Sequence, residues 1–230
     1  MDIISGALRL LFAGDAALYE IISLSLRVSV GATCVATIIG LPLGLCLALK
    51  PFVGRTVIIA VINGLMGLPP VVVGLCVFLA LSRTGPFGVL GLLFTPGAMI
   101  IAQSLLILPI ITALAHQTAT QLCEEYAHYF RAHGFSLWQQ VRCLLFEGRY
   151  FFATAVLAGL GRALAEVGAV MIVGGNIDHA TRVMTSAIAL EVSRGNLHFA
   201  LSLGLVLVLL ALAINVTVSL TQSWARSRFG

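Results

Sequence analysis

Charge is the scarcest thing in this sequence. Only 10 % of its 230 residues carry it, where a soluble domain has roughly 25 %. Lysine occurs once, as Lys50, and no Gly-x-x-x-x-Gly-Lys run precedes it. A P-loop NTPase needs that lysine at the phosphates, so the chain cannot be its own ATPase of that type. Cysteine is sparse and has neither zinc nor redox spacing: Cys34, Cys46 and Cys76 lie in apolar runs, Cys123 and Cys143 in a polar stretch. They read as buried small hydrophobes or free thiols. His116, His128, His133, His179 and His198 are scattered, with no carboxylate or cysteine completing a ligand set, so no metal site is expected. There is no Gly-x-Ser-x-Gly elbow and no His-Glu-x-x-His helix, hence no catalytic residue to name and no enzyme constellation. Nor is there a basic, aromatic-interleaved patch, so nucleic acid is not an expected partner. The start lacks a basic n-region and carries Asp2, so no cleaved signal peptide is expected.

What the chain has in quantity is apolar length. It is 60 % hydrophobic with a mean hydropathy of +1.07. The pattern predicts an all-α integral membrane protein with about five transmembrane helices, surrounded by membrane lipid. Spans are expected at about 21–49, 57–81, 97–114, 151–174 and 199–220, each reaching or approaching the roughly 20 residues that cross hydrocarbon. An N-terminal interfacial segment, 1–20, contains an apolar stretch at 3–13 too short to span. No repeat, low-complexity tract or linker divides the chain, so 1–230 reads as one transmembrane domain. Lys50, Arg55, Arg131, Arg142, Arg149, Arg226 and Arg228 collect on one side of these spans, against Arg9, Arg83, Arg182 and Arg194 on the other. By the excess of positives the first side is cytoplasmic, with the N-terminus outside and the C-terminus inside. Thr181–Ser193 is helical in character but too polar to span, and is expected as a short external helix.

The polar stretch 116–150 is the expected cytoplasmic docking region. It reads as two short amphipathic helices broken at Gly134. Thr118 with Gln121, and Ser136 with Gln139, each have the form of a helix-starting capping box. Leu122, Tyr126, Tyr129, Phe130 and His133 fall on one face; Leu137, Trp138, Val141, Leu144 and Leu145 form a second stripe. Gly134 lets the chain turn sharply, having no Cβ. A helical pair this apolar on one side is a surface made to receive another protein.

Arg27, Arg162 and Glu166 are the ionisable residues clearly inside the spans, where such groups face protein or a watery path. Arg27, near a span end, is expected to snorkel. Arg162 and Glu166, four apart on one helical face, fit either a local ion pair that tolerates burial or a positive element of an anion pathway whose geometry Glu166 fixes. Ala155, Gly159 and Ala163, then Ala165 and Ala169, form a small-residue face suited to close helix approach; Gly40-xxx-Gly44 repeats the pattern in the first span. Pro69-Pro70 and Pro109 free backbone carbonyls, and each break reads as a packing kink or a pathway element.

These residues resemble the permease subunits of binding-protein-dependent ABC importers. That family's cytoplasmic signature is Glu-Ala-Ala, three residues, Gly, nine residues, then Ile-x-Leu-Pro. Gly134 takes the glycine position, with Leu144 and Phe146 at the apolar positions beyond it. His128 stands where the family has Glu, Tyr129 and Phe130 where it has Ala, and Glu147 where it has Pro. Gly67-Leu-Pro-Pro-Val-Val-Val-Gly74 and Phe94-Thr-Pro-Gly-Ala98 are similar to oxyanion permeases of the molybdate and tungstate group. Gly161 to Ile177 and Thr181 to Glu191 resemble the tungstate-type permease; Ala165-Glu166-Val167-Gly168 stands where molybdate relatives read Gly-Glu-Phe-Gly.

The resemblance implies a type I ABC importer permease fold with a coupling-helix loop, in the inner or plasma membrane. It implies tungstate as the cargo, with molybdate or another oxyanion as the alternative, and a channel or secondary carrier working without ATP as a further one. It also implies a homodimer, an ABC ATPase subunit dimer that holds the ATP and Mg while this chain binds no cofactor, and an extracytoplasmic oxyanion-binding protein. Coupling to the ATPase falls to Tyr129, Phe130, Ala132, His133, Gly134, Leu137 and Trp138. The translocation pathway falls to Pro69, Pro70, Arg162, Glu166, Gly174 and Asn176.

Overall fold

A computed structural model describes residues 16–229, with side chains from Leu18 to Val216. The predicted interfacial segment therefore lies mostly outside the described residues. The described chain is helical throughout: α1 Ala16–Leu49, α2 Arg55–Leu65, α3 Pro70–Leu81, a 3-10 turn at Gly88–Leu90, α4 Pro96–Glu125, α5 Ala127–Ala132, α6 Leu137–Glu147, α7 Arg149–Leu164, α8 Gly168–Gly174, α9 Met184–Ser193 and α10 Leu197–Phe229. Within α1, α4 and α10, the stretches Leu18–Leu49, Pro96–Glu125 and Leu197–Val216 are long and apolar enough to cross a membrane. Two bent pairs, α2 with α3 and α6 with α7, bring the number of possible spans to five.

Three expectations change. The second span is not one helix: it breaks between α2 and α3. Met66, Gly67 and Leu68 close 3-10-type bonds onto Asn63, Gly64 and Leu65. Pro69 and Pro70 have no N–H to extend the ladder, and α3 then starts at Pro70, where a missing donor costs nothing. The third helix runs past Leu114 to Glu125, so Thr118 lies inside a helix and caps none; the chain breaks at Tyr126 instead. The fourth span ends at Leu164, and residues 165–167 leave the helix before α8 begins. Pro42 and Pro109, by contrast, are absorbed inside continuous helices.

The chain forms two compact units. In the unit of 31–69 and 104–163, the small-residue faces bring backbones together. A Cβ placed on Gly44 would lie 2.7 Å from Ala115 Cβ and 2.8 Å from the Thr112 carbonyl; one on Gly159 would lie 2.8 Å from Ile111. Ala155 and Ala163 on the same helix as Gly159 are buried. In the unit of 1–30, 70–103 and 164–230, α3 packs on α8 and α9 on α10. Gly74 sits against the backbone of Ala169, where a Cβ would fall 2.8 Å from its Cα. Leu18, Ala187 and Leu203 close a small cluster beside them. The free thiols of Cys34, Cys46 and Cys76 are exposed on their helices, which corrects the buried half of their reading.

Gly44→Ala is expected to destabilise the protein by about 1–3 kcal/mol, because a backbone crossing cannot yield as a side chain can. Thermal unfolding in detergent measures this; Gly64→Ala, inside α2 with open space around it, should hold the midpoint or raise it slightly.

Candidate functional site

The stretch expected to dock, 116–150, contains two short helices, and the sequence encodes the start of α6. Ser136 caps α6: its hydroxyl accepts from Gln139 N at 3.4 Å, and the Gln139 side chain accepts from Ser136 N at 2.8 Å. Gly134 takes φ +61°, the left-handed conformation that the turn between α5 and α6 requires. Gln140 Nε2 donates to the Phe135 carbonyl at 2.9 Å and ties the turn to α6.

Each apolar stripe divides between core and surface. Phe130 (7 % exposed) joins Leu45, Ala115, Ala119, Leu122, Leu144 and Phe152 in a buried cluster. Tyr129 stays half-exposed, with its ring 4.3 Å from that of His133 and 5.3 Å from that of Phe135. Trp138 is 78 % exposed and Leu137 51 %. Phe130 is thus an anchor, while Tyr129, Leu137 and Trp138 present apolar area outward. Ala132 and His133 close α5, with the His133 amide bonded to the Tyr129 carbonyl at 3.1 Å. The neighbouring Glu147 carboxylate holds the Tyr126 phenol above its ordinary pKa.

Among the residues assigned to the pathway, Pro69 and Pro70 form the α2–α3 break. Arg162 occupies the last turn of α7. Glu166 stands beyond that helix, so the expected i, i+4 face does not exist. Its carboxylate is buried, and Oε1 accepts from Ala169 N at 3.1 Å at the start of α8.

Gly174 and Asn176 belong to a turn of unusual backbone: Gly175 has φ +70° and Asn176 φ +50°. Thr181 Oγ1 donates to the Gly174 carbonyl and accepts from Ile177 N at 3.0 Å. Ser186 Oγ bonds Asn176 Oδ1 at 2.9 Å, and Thr185 Oγ1 donates to the Glu166 carbonyl at 2.8 Å. Ser25 Oγ accepts from Met184 N at 2.8 Å. The two stretches that carry the tungstate-type resemblance, 161–177 and 181–191, are therefore laced together by side chains.

Thr181, Thr185 and Ser186 were not assigned to any site by sequence. The signal was present: hydroxyls at i, i+4 and i+5 opening a helix too polar to span. Arg55 was likewise counted only as a positive charge; its guanidinium lies 3.5 Å from His116 Nε2. A helix does form within 181–193, as α9, with its first turn buried. Just before it, exposed His179 meets Glu20 Oε2 at 2.8 Å, and that bond, with the charges of Glu20 and Asp178, raises the imidazole above its ordinary pKa.

Thr181→Val removes one buried donor–acceptor and orphans the Gly174 carbonyl and the Ile177 N–H, each worth about 1–3 kcal/mol when left unmade in a buried setting. A clear fall in the thermal midpoint of the purified protein is expected, with Thr181→Ser retaining most of it.

The sequence matches, over residues 40–229, the family described as binding-protein-dependent transport system inner membrane component. It is 40 % identical over 192 residues to a probable anion ABC transporter permease protein of Haloferax volcanii, covering 81 % of this chain and 83 % of that one. It is 39 % identical over 198 residues to the tungstate uptake system permease protein TupB of Peptoclostridium acidaminophilum, covering 86 % and 87 %. The TupB of Campylobacter jejuni is 35 % identical over 143 residues, 62 % of this chain and 60 % of that protein. With its apolar helices, its bent pairs and its capped docking region, the chain belongs to the family of binding-protein-dependent transport inner membrane components.

Proposed function

We propose that this chain forms the translocation pathway of an ATP-driven tungstate importer. The family makes it a multi-pass transport subunit and not a catalytic enzyme. The observation that carries the substrate is the 39 % identity, along most of both chains, to a permease named for tungstate uptake. The relative named only as an anion permease supports a wider oxyanion range, with molybdate as the alternative cargo.

In this reading the permease is a homodimer, and a separate ABC ATPase dimer binds ATP and Mg and hydrolyses the nucleotide. An extracytoplasmic binding protein delivers the oxyanion. The N-terminus lies outside and 116–150 inside. Tyr129, Leu137 and Trp138 supply the outward apolar contact with the ATPase, Phe130 fixes α5 to the body, and Ala132, His133 and Gly134 set the turn. Arg162 lends positive potential to the anion, while Glu166, Gly174 and Asn176 hold the pathway's inner wall through the bonds described above. Pro69 and Pro70 provide the break that faces it.

Elemental uptake decides the substrate: tungstate, molybdate and sulfate offered at trace concentration to cells lacking this gene and to complemented cells. Gene-dependent tungsten accumulation that excess molybdate barely suppresses is expected. A molybdenum or sulfur signal would replace tungstate, and no signal for any anion would remove the oxyanion reading.

Coupling is tested at Gly134, where nothing lies within 4 Å of an added Cβ. Gly134→Val then acts only through the left-handed backbone that a β-branched residue resists. Weakened copurification of the ATPase without unfolding of the spans is expected; full retention of the ATPase would remove the turn from coupling.

A further inference from the structure

A groove of about 650 Å³ runs between α1 and α6, within one compact unit. Its walls are the face of α1 from Thr37 to Leu49 and the face of α6 from Leu137 to Leu145, apolar but for Thr37 at one end. At the other end stands Lys50, the chain's single lysine; among the described residues it is the one charged group lining the groove, and no carboxylate does. Trp138 borders the groove and is 78 % exposed.

We propose that this groove binds an anionic phospholipid, with one acyl chain along α1 and the phosphate at Lys50. Three features select that occupant. From Thr37 to Lys50 the helix rises about 20 Å, enough to carry a chain through one leaflet of about 15 Å of hydrocarbon and bring its headgroup level with the ammonium. The charge sits where α1 leaves its apolar run, on a groove that an exposed tryptophan also lines, and basic and aromatic residues together mark membrane–water interfaces. An uncompensated lysine at the mouth of an apolar groove attracts a phosphodiester and offers nothing to a zwitterionic ammonium.

The site requires a membrane permease and is indifferent to which anion is carried. It gives Leu137 and Trp138 a role besides docking: a chain packed between α1 and α6 would hold α6 at a fixed height for the ATPase.

The test uses the assembled transporter in phosphatidylcholine vesicles containing a trace of phosphatidylglycerol with a photoactivatable acyl chain. Crosslinks are expected on peptides covering 37–50 and 137–145. Unlabelled phosphatidylglycerol should compete several-fold better than phosphatidylcholine. Lys50→Gln should remove that preference and Lys50→Arg keep it. Cys46→Trp, which fills the groove from an exposed position on α1, should abolish the crosslink at an unchanged thermal midpoint. Should that variant not fold, the Lys50 pair carries the decision alone. Equal competition by both lipids, or unchanged preference in Lys50→Gln, overturns the proposal. Crosslinks that appear only without the ATPase, or only on dilution of the dimer, assign the groove to a protein instead and overturn it equally.

Discussion

Backbone that leaves the helix inside a membrane protein must find its hydrogen-bond partners within the protein, since hydrocarbon supplies none. Three breaks among the described residues obey that constraint, each by a different device. At 66–69 the last amides of α2 tighten into 3-10 bonds, and two prolines then remove the donors that would otherwise be stranded. At 165–167 the Glu166 side chain accepts the amide of Ala169, and its own carbonyl is taken by Thr185. At 175–183, Thr181, Ser186 and Ser25 serve the amides of Ile177, Val183 and Met184.

This gives the buried polar residues a common account. Glu166, Thr181, Thr185 and Ser186 lie among apolar neighbours and would each be costly there without a partner. Once bonded, they fix a turn of positive-φ residues that no regular helix would contain. A scaffolding role therefore does not conflict with the pathway role proposed for Glu166 and Asn176. An oxyanion route needs polar groups that stay put as a hydrated ion passes, and groups already bonded within one compact unit meet that need.

The stretch from α5 to α6 uses the opposite strategy. Its helices are short, and their stability comes from caps and from one buried edge: Phe130 and Leu144 face the core while Tyr129, Leu137 and Trp138 remain in the open. Large aromatic surface on elements this short is expensive to leave exposed and therefore points to a partner. The groove between α1 and α6 continues the same apolar surface, so in the arrangement proposed above lipid and ATPase would meet adjoining faces of one helix.

Sequence alone determined the membrane class, the approximate positions of the helices, the cap at Ser136, the turn at Gly134 and the family, because each rests on local signals: apolar length, a capping pair, a residue without Cβ, a run of motif residues. Gly40 and Gly44 were also legible, since small residues spaced four apart define a face whatever lies opposite. Only tertiary structure decided where α4 and α7 end. Thr118 had the form of a cap, yet α4 continues through it, because Ala115, Ala119 and Leu122 pack into the same buried cluster as Leu45 and Phe152 and keep that stretch helical. Arg162 and Glu166 had helical spacing, yet the helix ends between them, because Thr185 and Ala169 bond Glu166 in a non-helical conformation. A capping pair or an i, i+4 spacing is a local preference worth about a kilocalorie per mole or less, and burial together with long-range hydrogen bonds outweighs it.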